Sequence, residues 1–425
     1  MELADLDRAI QKIESGRTDE GIDELKRLQD ESNDETLLYQ IAQIYARYGF
    51  LEEAAATARK LLRLSPNDAE FILFCAECLI ELGNDLEALE LLQSIRPDSG
   101  HYLSSLLMLA DLYQSQGLEE VAERKLIEAH DIQPEEPVIW YALAEFYRAQ
   151  GNHYKASLFY EKLMNDIDFA SDENVQLHFA ESLSMLGEFE KALPYFQKGL
   201  QSEKDLDGLF RYGYTAYRAE EYDKAIDIFN ELQTLDPYYS TLYPMLANAY
   251  EKLGNTKKAI ETLEQGLIQD EQNEALYYKL SKLLLESGQK EKAEHYLKKS
   301  FALNSPTIEA AQLYLSHLKE EQRYDDMIAF IHELKERHDD HDPILDWELA
   351  EAYEKIEDFE KANEYFEASY PFLKDNSEFL ERYGYFLLEE GQTEKAIASF
   401  SKAVSIDKNL FHLEELIADL ENRLI

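Results

Sequence analysis

Along the chain, apolar side chains recur three and four residues apart in blocks that end at short polar breaks, many of them marked by glycine. That spacing is the period of a helix with one buried face. The stretch WYALAEFYRAQGNHYKASLFYEKL, residues 140–163, shows the pattern well. Trp140, Leu143, Ala144 and Tyr147 stand three, one and three residues apart, and Gly151, Ala156 and Tyr160 follow at four, five and four. The spacing predicts a helix, a turn at Gly151 and a second helix packed on the first.

The same frame fits along the whole chain, with starts at residues 2, 35, 69, 103, 137, 173, 206, 240, 274, 308, 343 and 377, that is, twelve repeats 33 to 36 residues apart. Position 8 of the frame must be small, because there the two helices of a pair touch. It is Ala9, Ala42, Ala76, Ala110, Ala144, Ala180, Gly213, Ala247, Ser281, Ala350 or Gly384, with Leu315 the exception. Position 20 has the same need and is Gly21 or alanine everywhere except Met327, in the same repeat as Leu315. Glycine closes the first helix at nine places, from Gly16 to Gly391, where a left-handed backbone is wanted. Asn84, Asn152 and Thr18 are candidate caps for the next helix. Pro66, Pro134 and Pro237 fall where one pair ends and the next begins, and Pro244 is read as the fourth residue of a helix capped by Ser240.

These residues resemble the tetratricopeptide repeat, whose pattern is W-x2-L-G-x2-Y, then A-x3-F, then P, over ~34 residues. The resemblance implies an all-α fold, an α-solenoid of about twelve helix pairs wound as a right-handed superhelix. No linker or change of composition interrupts the pattern, so residues 1–410 are read as one continuous array. In residues 411–425, Phe411, Leu413, Leu416, Ile417, Leu420 and Leu424 share one helical face and predict a helix that caps the last repeat. Within this frame Trp140 is expected in the core.

Charge narrows the partners. With 42 basic and 87 acidic residues the formal net charge is -45, which repels phosphate backbones and anionic lipid. Nucleic acid is excluded as a direct partner, and no apolar run approaches the ~20 residues of a membrane span. The start MELADLDRAI lacks a basic stretch ahead of an apolar one, and two cysteines make no disulfide framework, so a cytoplasmic location is expected.

Signs of catalysis are weak. Cys75-Ala-Glu-Cys78 has C-x-x-C spacing but lies mid-helix, away from the helix N-terminus that activates such thiols. His338, Asp339, Asp340, His341 and Asp342 read either as a weak metal site or as an acidic turn, the latter favoured. Neither a phosphate-cradling glycine loop nor a nucleophile elbow is present, so no catalytic residue, metal or cofactor is assigned.

The resemblance further implies that the first helices line a concave groove for a protein or peptide segment, with positions 2, 5, 9, 12 and 13 facing it. Position 5 supplies Tyr39, Tyr141, Phe210, Tyr278 and Trp347; position 9 supplies Glu77, Asp111, Glu145 and Glu181 in successive repeats, then Tyr214, Glu351 and Tyr385. Carboxylates beside aromatic rings suit a basic, partly apolar segment. Reversing the charge of Glu145 and Glu181 is expected to leave the fold intact, as exposed helix charges add little stability. The constellation with which chaperone-binding members hold a C-terminal carboxylate is missing: near Asn248, Lys279 and Lys282, Pro244 stands in place of the required lysine. The expected function is that of a non-enzymatic interaction scaffold or adaptor. Two alternatives stand beside it, a regulator that sequesters a signalling protein and an enzyme with a site built from groove residues.

Overall fold

The structure, a computed structural model, describes residues 2–202, 204–303, 308–338 and 342–424. Every regular element among them is an α-helix, and most helices fall into pairs, an A helix followed by a B helix. The first pairs are α1 (Glu2–Glu14) with α2 (Thr18–Glu31), α3 (Glu35–Arg47) with α4 (Leu51–Leu64), α5 (Ala69–Glu81) with α6 (Asp85–Gln93), and α7 (Tyr102–Ser115) with α8 (Glu119–Ile132). Next come α9 (Pro137–Ala149) with α10 (His153–Leu163), and a short α11 (Ile167–Ser171) that precedes α12 (Glu173–Met185) and its partner α13 (Phe189–Gly199). The pair α14 (Leu206–Arg218) and α15 (Tyr222–Leu235) and the helix α16 (Leu242–Lys252) complete a compact unit, Met1–Leu253.

A second unit, Gly254–Ile425, opens with α17 (Thr256–Gln269). Its pairs are α18 (Glu274–Glu286) with α19 (Lys290–Ala302), α20 (Ile308–Glu320) with α21 (Tyr324–His338), α22 (Pro343–Lys355) with α23 (Phe359–Leu373), and α24 (Ser377–Glu389) with α25 (Thr393–Ile406). The final helix, α26 (Phe411–Leu424), packs on α25 through Leu413 and Leu420, which are buried, whereas Phe411 is 66% exposed. Phe411 opens that helix and does not share its buried face. The architecture is that of an α-solenoid.

The core of each pair lies between its A and B helices, and the small-residue rule has a visible cause. A Cβ added at Gly21 would stand 2.8 Å from the backbone oxygen of Ala9, so positions 20 and 8 of the first repeat meet backbone to backbone. At Gly213 an added Cβ would stand 2.7 Å from the ring of Phe229, a fully buried core residue. Leu315 and Met327 are both buried, and α20 and α21 approach each other over far less of their length than the other pairs of their unit. The two larger side chains hold those backbones apart.

The turns between A and B helices are left-handed at all nine expected glycines, with φ between 70° and 84°. Three repeats keep the same backbone without glycine: Glu220, Gln322 and Glu357 have φ of 61°, 56° and 64°. Many A helices start from an acid or amide that the frame places just before position 1. Asp34, Asp68, Asp172, Asp205, Asn273, Asp342 and Asn376 each accept a hydrogen bond from first-turn amides. The proposed caps of the B helices fare unevenly. Asn152 accepts from the Lys155 amide, Asn84 caps α6 without a side-chain bond, and Thr18 lies inside α2 after Arg17 at the cap. Similarly, α16 is capped by Thr241 instead of Ser240, which makes Pro244 its third residue, still free of the need for an intrahelical acceptor.

Trp140 does not enter the core. It is half-buried at the foot of α9, where its indole N–H donates to the carbonyl of Pro134 at 2.8 Å and Lys162 lies 5.2 Å from its ring centre. An indole keeps its polar edge near a partner, and the repeat junction supplies one.

Candidate partner-binding face of the A helices

In the first unit the aromatic positions are half-buried and engaged with other rings. Tyr39 packs between Phe71 and Phe74, with ring centres 5.3 and 5.4 Å away. Phe210 lies 5.5 Å from Tyr239, and Tyr214 accepts a hydrogen bond from Arg218 at 2.8 Å. Tyr141 is met by Phe169 at 5.5 Å. Phe169 belongs to α11, which the longer spacing before residue 173 accommodates and which Asp166 caps through the amides of Asp168 and Phe169. That short helix covers part of the face Tyr141 was expected to leave open.

The four carboxylates of position 9 divide into two kinds. Glu77 and Asp111 are exposed and have no ion-pair partner among the described residues. Asp111 keeps an open face, yet the protein around it is dense enough that loss of solvation raises its carboxyl's pKa. Glu145 is different. It is half-buried and accepts from Nδ1 of His178 at 2.7 Å, from Arg148 at 2.8 Å and from the hydroxyl of the buried Tyr160. Burial alone would raise its pKa, but the bonds from His178, Arg148 and Tyr160 together outweigh burial and hold it at about 2. Glu181 forms an ion pair with Arg211. The expected four-membered open stripe is therefore two open carboxylates and two that are neutralised within the protein.

A single packing relation explains the division. Position 9 of one repeat faces position 6 of the next: Glu145 meets His178, Glu181 meets Arg211, and in the second unit Glu351 lies 3.5 Å from Arg382. After Glu77 and Asp111 the corresponding residues are Met108 and Ala142, which carry no charge. The signal was present in the sequence, but reading position 9 by itself could not reveal it.

In the second unit Glu351 also binds Lys319 at 2.6 Å, and Lys319 in turn reaches Glu348 at 3.3 Å. Burial raises the pKa of Glu348 despite that lysine. Trp347 stands edge-on to Phe379 at 5.6 Å with its N–H buried and without a partner, and Tyr385 packs edge-on against Phe400 at 5.1 Å. Tyr278 is half-buried against the core that runs from α19 to α26. Beside Leu315 a cavity of about 580 Å³ opens between α20 and α22, walled by Ile308, Leu334, Ile344 and Leu345 with Lys319 and Glu348 at its polar side.

The chemistry-bearing candidates elsewhere are quiet. Cys75 and Cys78 are buried and free, and burial pushes their thiols up to about 11 and about 12, so neither is a nucleophile at neutral pH. No group of three potential metal ligands occurs among the described residues. Residues 339–341 of the acidic turn lie outside the described residues, and Asp342 serves as the cap of α22. No helix among the described residues is long and apolar enough to cross a membrane.

Comparison with known proteins agrees with the helix-pair architecture. Models described as YpiA-like tetratricopeptide repeats match residues 114–167, and YpiA-like C-terminal tetratricopeptide repeats match residues 343–407. General tetratricopeptide repeat models match 48–106, 179–240, 216–277 and 254–314. The TPR repeat-containing protein YpiA of Bacillus subtilis (strain 168) is 36% identical over 417 residues, covering 98% of each chain. Among solved structures, YrrB, described as a TPR protein with an unusual peptide-binding site, shares 19% identity over 44% of this chain and 91% of its own, with a TM-score of 0.38. Cut9 in complex with Hcn1 covers 97% of this chain and 95% of the matched chain at 14% identity and a TM-score of 0.35.

Proposed function

Because the chain belongs to the tetratricopeptide repeat family, with a YpiA relative alike along nearly its whole length, we propose that it is a non-enzymatic interaction scaffold. Its repeats, residues 1–410, present the A-helix face to a protein segment, and it works in the cytoplasm. The observation that carries the reading is the contrast at position 9: Glu77 and Asp111 stand open and unpaired, Glu77 one helical turn from Leu73 on the helix whose Phe74 packs on Tyr39, whereas the other two carboxylates are internally neutralised. An open carboxylate costs nothing to leave hydrated and gains on meeting a cation, particularly one whose stem lies on a ring. The segment it suits is basic and partly apolar, docked on α3, α5 and α7.

The test uses a fluorescein-labelled peptide of alternating arginine and leucine and follows its association by anisotropy. The double variant Glu77→Lys, Asp111→Lys should slow association about tenfold at low salt, and the wild-type rate should fall as salt shortens the Debye length from ~30 Å at 0.01 M to ~8 Å at 0.15 M. Tyr39→Ala should chiefly speed dissociation. Rates indifferent both to salt and to the double reversal sink the proposal.

A further inference from the structure

The sign of the charge reverses locally in the first unit. A cavity of about 610 Å³ crosses the ends of α9, α12 and α14, and its wall carries Arg148, Arg211 and Arg218 against the single carboxylate of Glu181. In a chain with twice as many acids as bases, three guanidinium groups around one opening are unusual, and what counts is which of them lacks a counter-charge. Their surroundings differ. Arg148 and Arg211 are neutralised by Glu145 and Glu181. Arg218 has no carboxylate partner among the described residues: it gives one hydrogen bond to the Tyr214 hydroxyl at 2.8 Å and lies 4.6 Å over the ring of Phe189.

A guanidinium has five donors in a planar fork. Arg218 uses one of them in a hydrogen bond, is steadied by two aromatic rings, and remains exposed. Its orientation is thus largely set before a ligand arrives, which reduces the entropy lost on binding. The wall also holds two buried polar atoms without a protein partner, Nε of Arg148 and Nδ1 of His153. Both are closed to solvent, so the first contact open to a ligand is the exposed edge of Arg218. Next to the arginines, Met185 is 69% and Leu186 38% exposed, apolar surface that a ligand side chain can cover.

We propose that this cavity is a receptor for an acidic peptide segment, with a carboxylate seated on the free edge of Arg218 and an adjoining apolar side chain covering Met185 and Leu186. A carboxylate matches the guanidinium fork with two parallel hydrogen bonds, which a single acceptor cannot do. This site is separate from the open carboxylates of α5 and α7, and neither assignment requires the other. Selectivity has a simple origin: the net charge of -45 repels acidic chains at a distance, so only a segment that reaches the cavity gains from its short-range contacts.

The probe is a fluorescein-labelled peptide of alternating glutamate and leucine, titrated into the full chain, with the same peptide carrying glutamine for glutamate as its neutral counterpart. The acidic peptide should bind at least about tenfold more tightly than the neutral one, and Arg218→Glu should abolish most of that advantage. Arg218→Lys should keep only part of it, because the charge remains and the fork is gone. Arg96→Glu, an equal change of charge at an exposed residue away from the cavity, should alter affinity less than about twofold. Association of the acidic probe should also quicken as salt rises, since screening weakens the overall repulsion. Circular dichroism establishes that each variant is folded. Equal binding of the two peptides, no binding of the acidic one, or an Arg218→Glu effect matched by Arg96→Glu overturns the proposal. So does displacement of the probe by inorganic phosphate at a tenth of the acetate concentration required, since the seat would then be for a phosphoryl group.

Discussion

Removing Glu145 tests the division between open and internally neutralised carboxylates most directly. In Glu145→Ala the hydroxyl of Tyr160, whose side chain is fully buried, loses its acceptor, Arg148 loses its counter-charge, and His178 loses a 2.7 Å bond. A carboxyl held at about 2 in place of 4.5 favours its ionised form by ~3 kcal/mol, at ~1.4 kcal/mol per unit. Partial exposure reduces what the folded state gains, and the three bonds are not additive, so a loss of about 2–3 kcal/mol is expected at neutral pH. For a unit of this size that is a fall in melting temperature of roughly 4–12 °C. The sign with pH follows from the direction of the shift. A carboxyl whose folded pKa lies below its unfolded value stabilises fully above the unfolded value, and that contribution is lost as pH falls from about 4.5 toward about 2. Thermal unfolding by circular dichroism should therefore show wild type and Glu145→Ala far apart at pH 7 and converging through that acid range. Glu77→Ala, which removes an open carboxylate, should shift melting by less than about 2 °C. If the two variants melt alike at pH 7, Glu145 is a surface charge after all and the assignment of roles at position 9 is wrong.

Glu220→Gly, Gln322→Gly and Glu357→Gly should each stabilise the protein by about 0.5–1 kcal/mol, because glycine occupies the left-handed turn without strain and that gain exceeds its extra entropy in the unfolded chain; urea titration showing destabilisation would refute this. Arg323→Gln should cost about 1–2 kcal/mol at pH 7 and much less at pH 2, where Glu294 is half protonated, since the paired hydrogen bonds of Arg323, at 2.7 and 3.1 Å, are the main cause that holds Glu294 at about 2; an equal loss at both pH values would contradict it. Leu413→Ala should expose the end of the α25 core and reduce hydrogen-exchange protection there by about 2–3 kcal/mol, while protection in α18 stays as it was, as expected where stability is local to neighbouring repeats; unchanged protection of α25 would mean that α26 does not cap it.

Much of the architecture is readable from the amino acids because its causes are local. A helix requires only an apolar stripe at the right period, a cap and a left-handed stop, and all three are visible within one 34-residue frame. That is why the A helices begin at or within two residues of the repeat starts, and why Leu315 and Met327 could be singled out as the pair that separates α20 from α21. The frame also allowed errors where two partners compete for one residue: Trp140 was assigned to the core by its spacing, but its N–H is drawn to the Pro134 carbonyl outside it. The face of the A helices depended on relations between repeats. Which carboxylates stand open is decided by the residue some thirty positions later that stacking brings alongside, His178 or Arg211 in one case and Met108 or Ala142 in the other. The arginine-lined cavity has the same origin, since Arg148, Arg211 and Arg218 come from α9 and α14 and approach one opening only when those helices are stacked with α12 between them. Periodicity along a chain specifies which side of a helix is buried, whereas the charge of a surface shared by several helices is a sum over residues distant in sequence, and only their packing determines its terms.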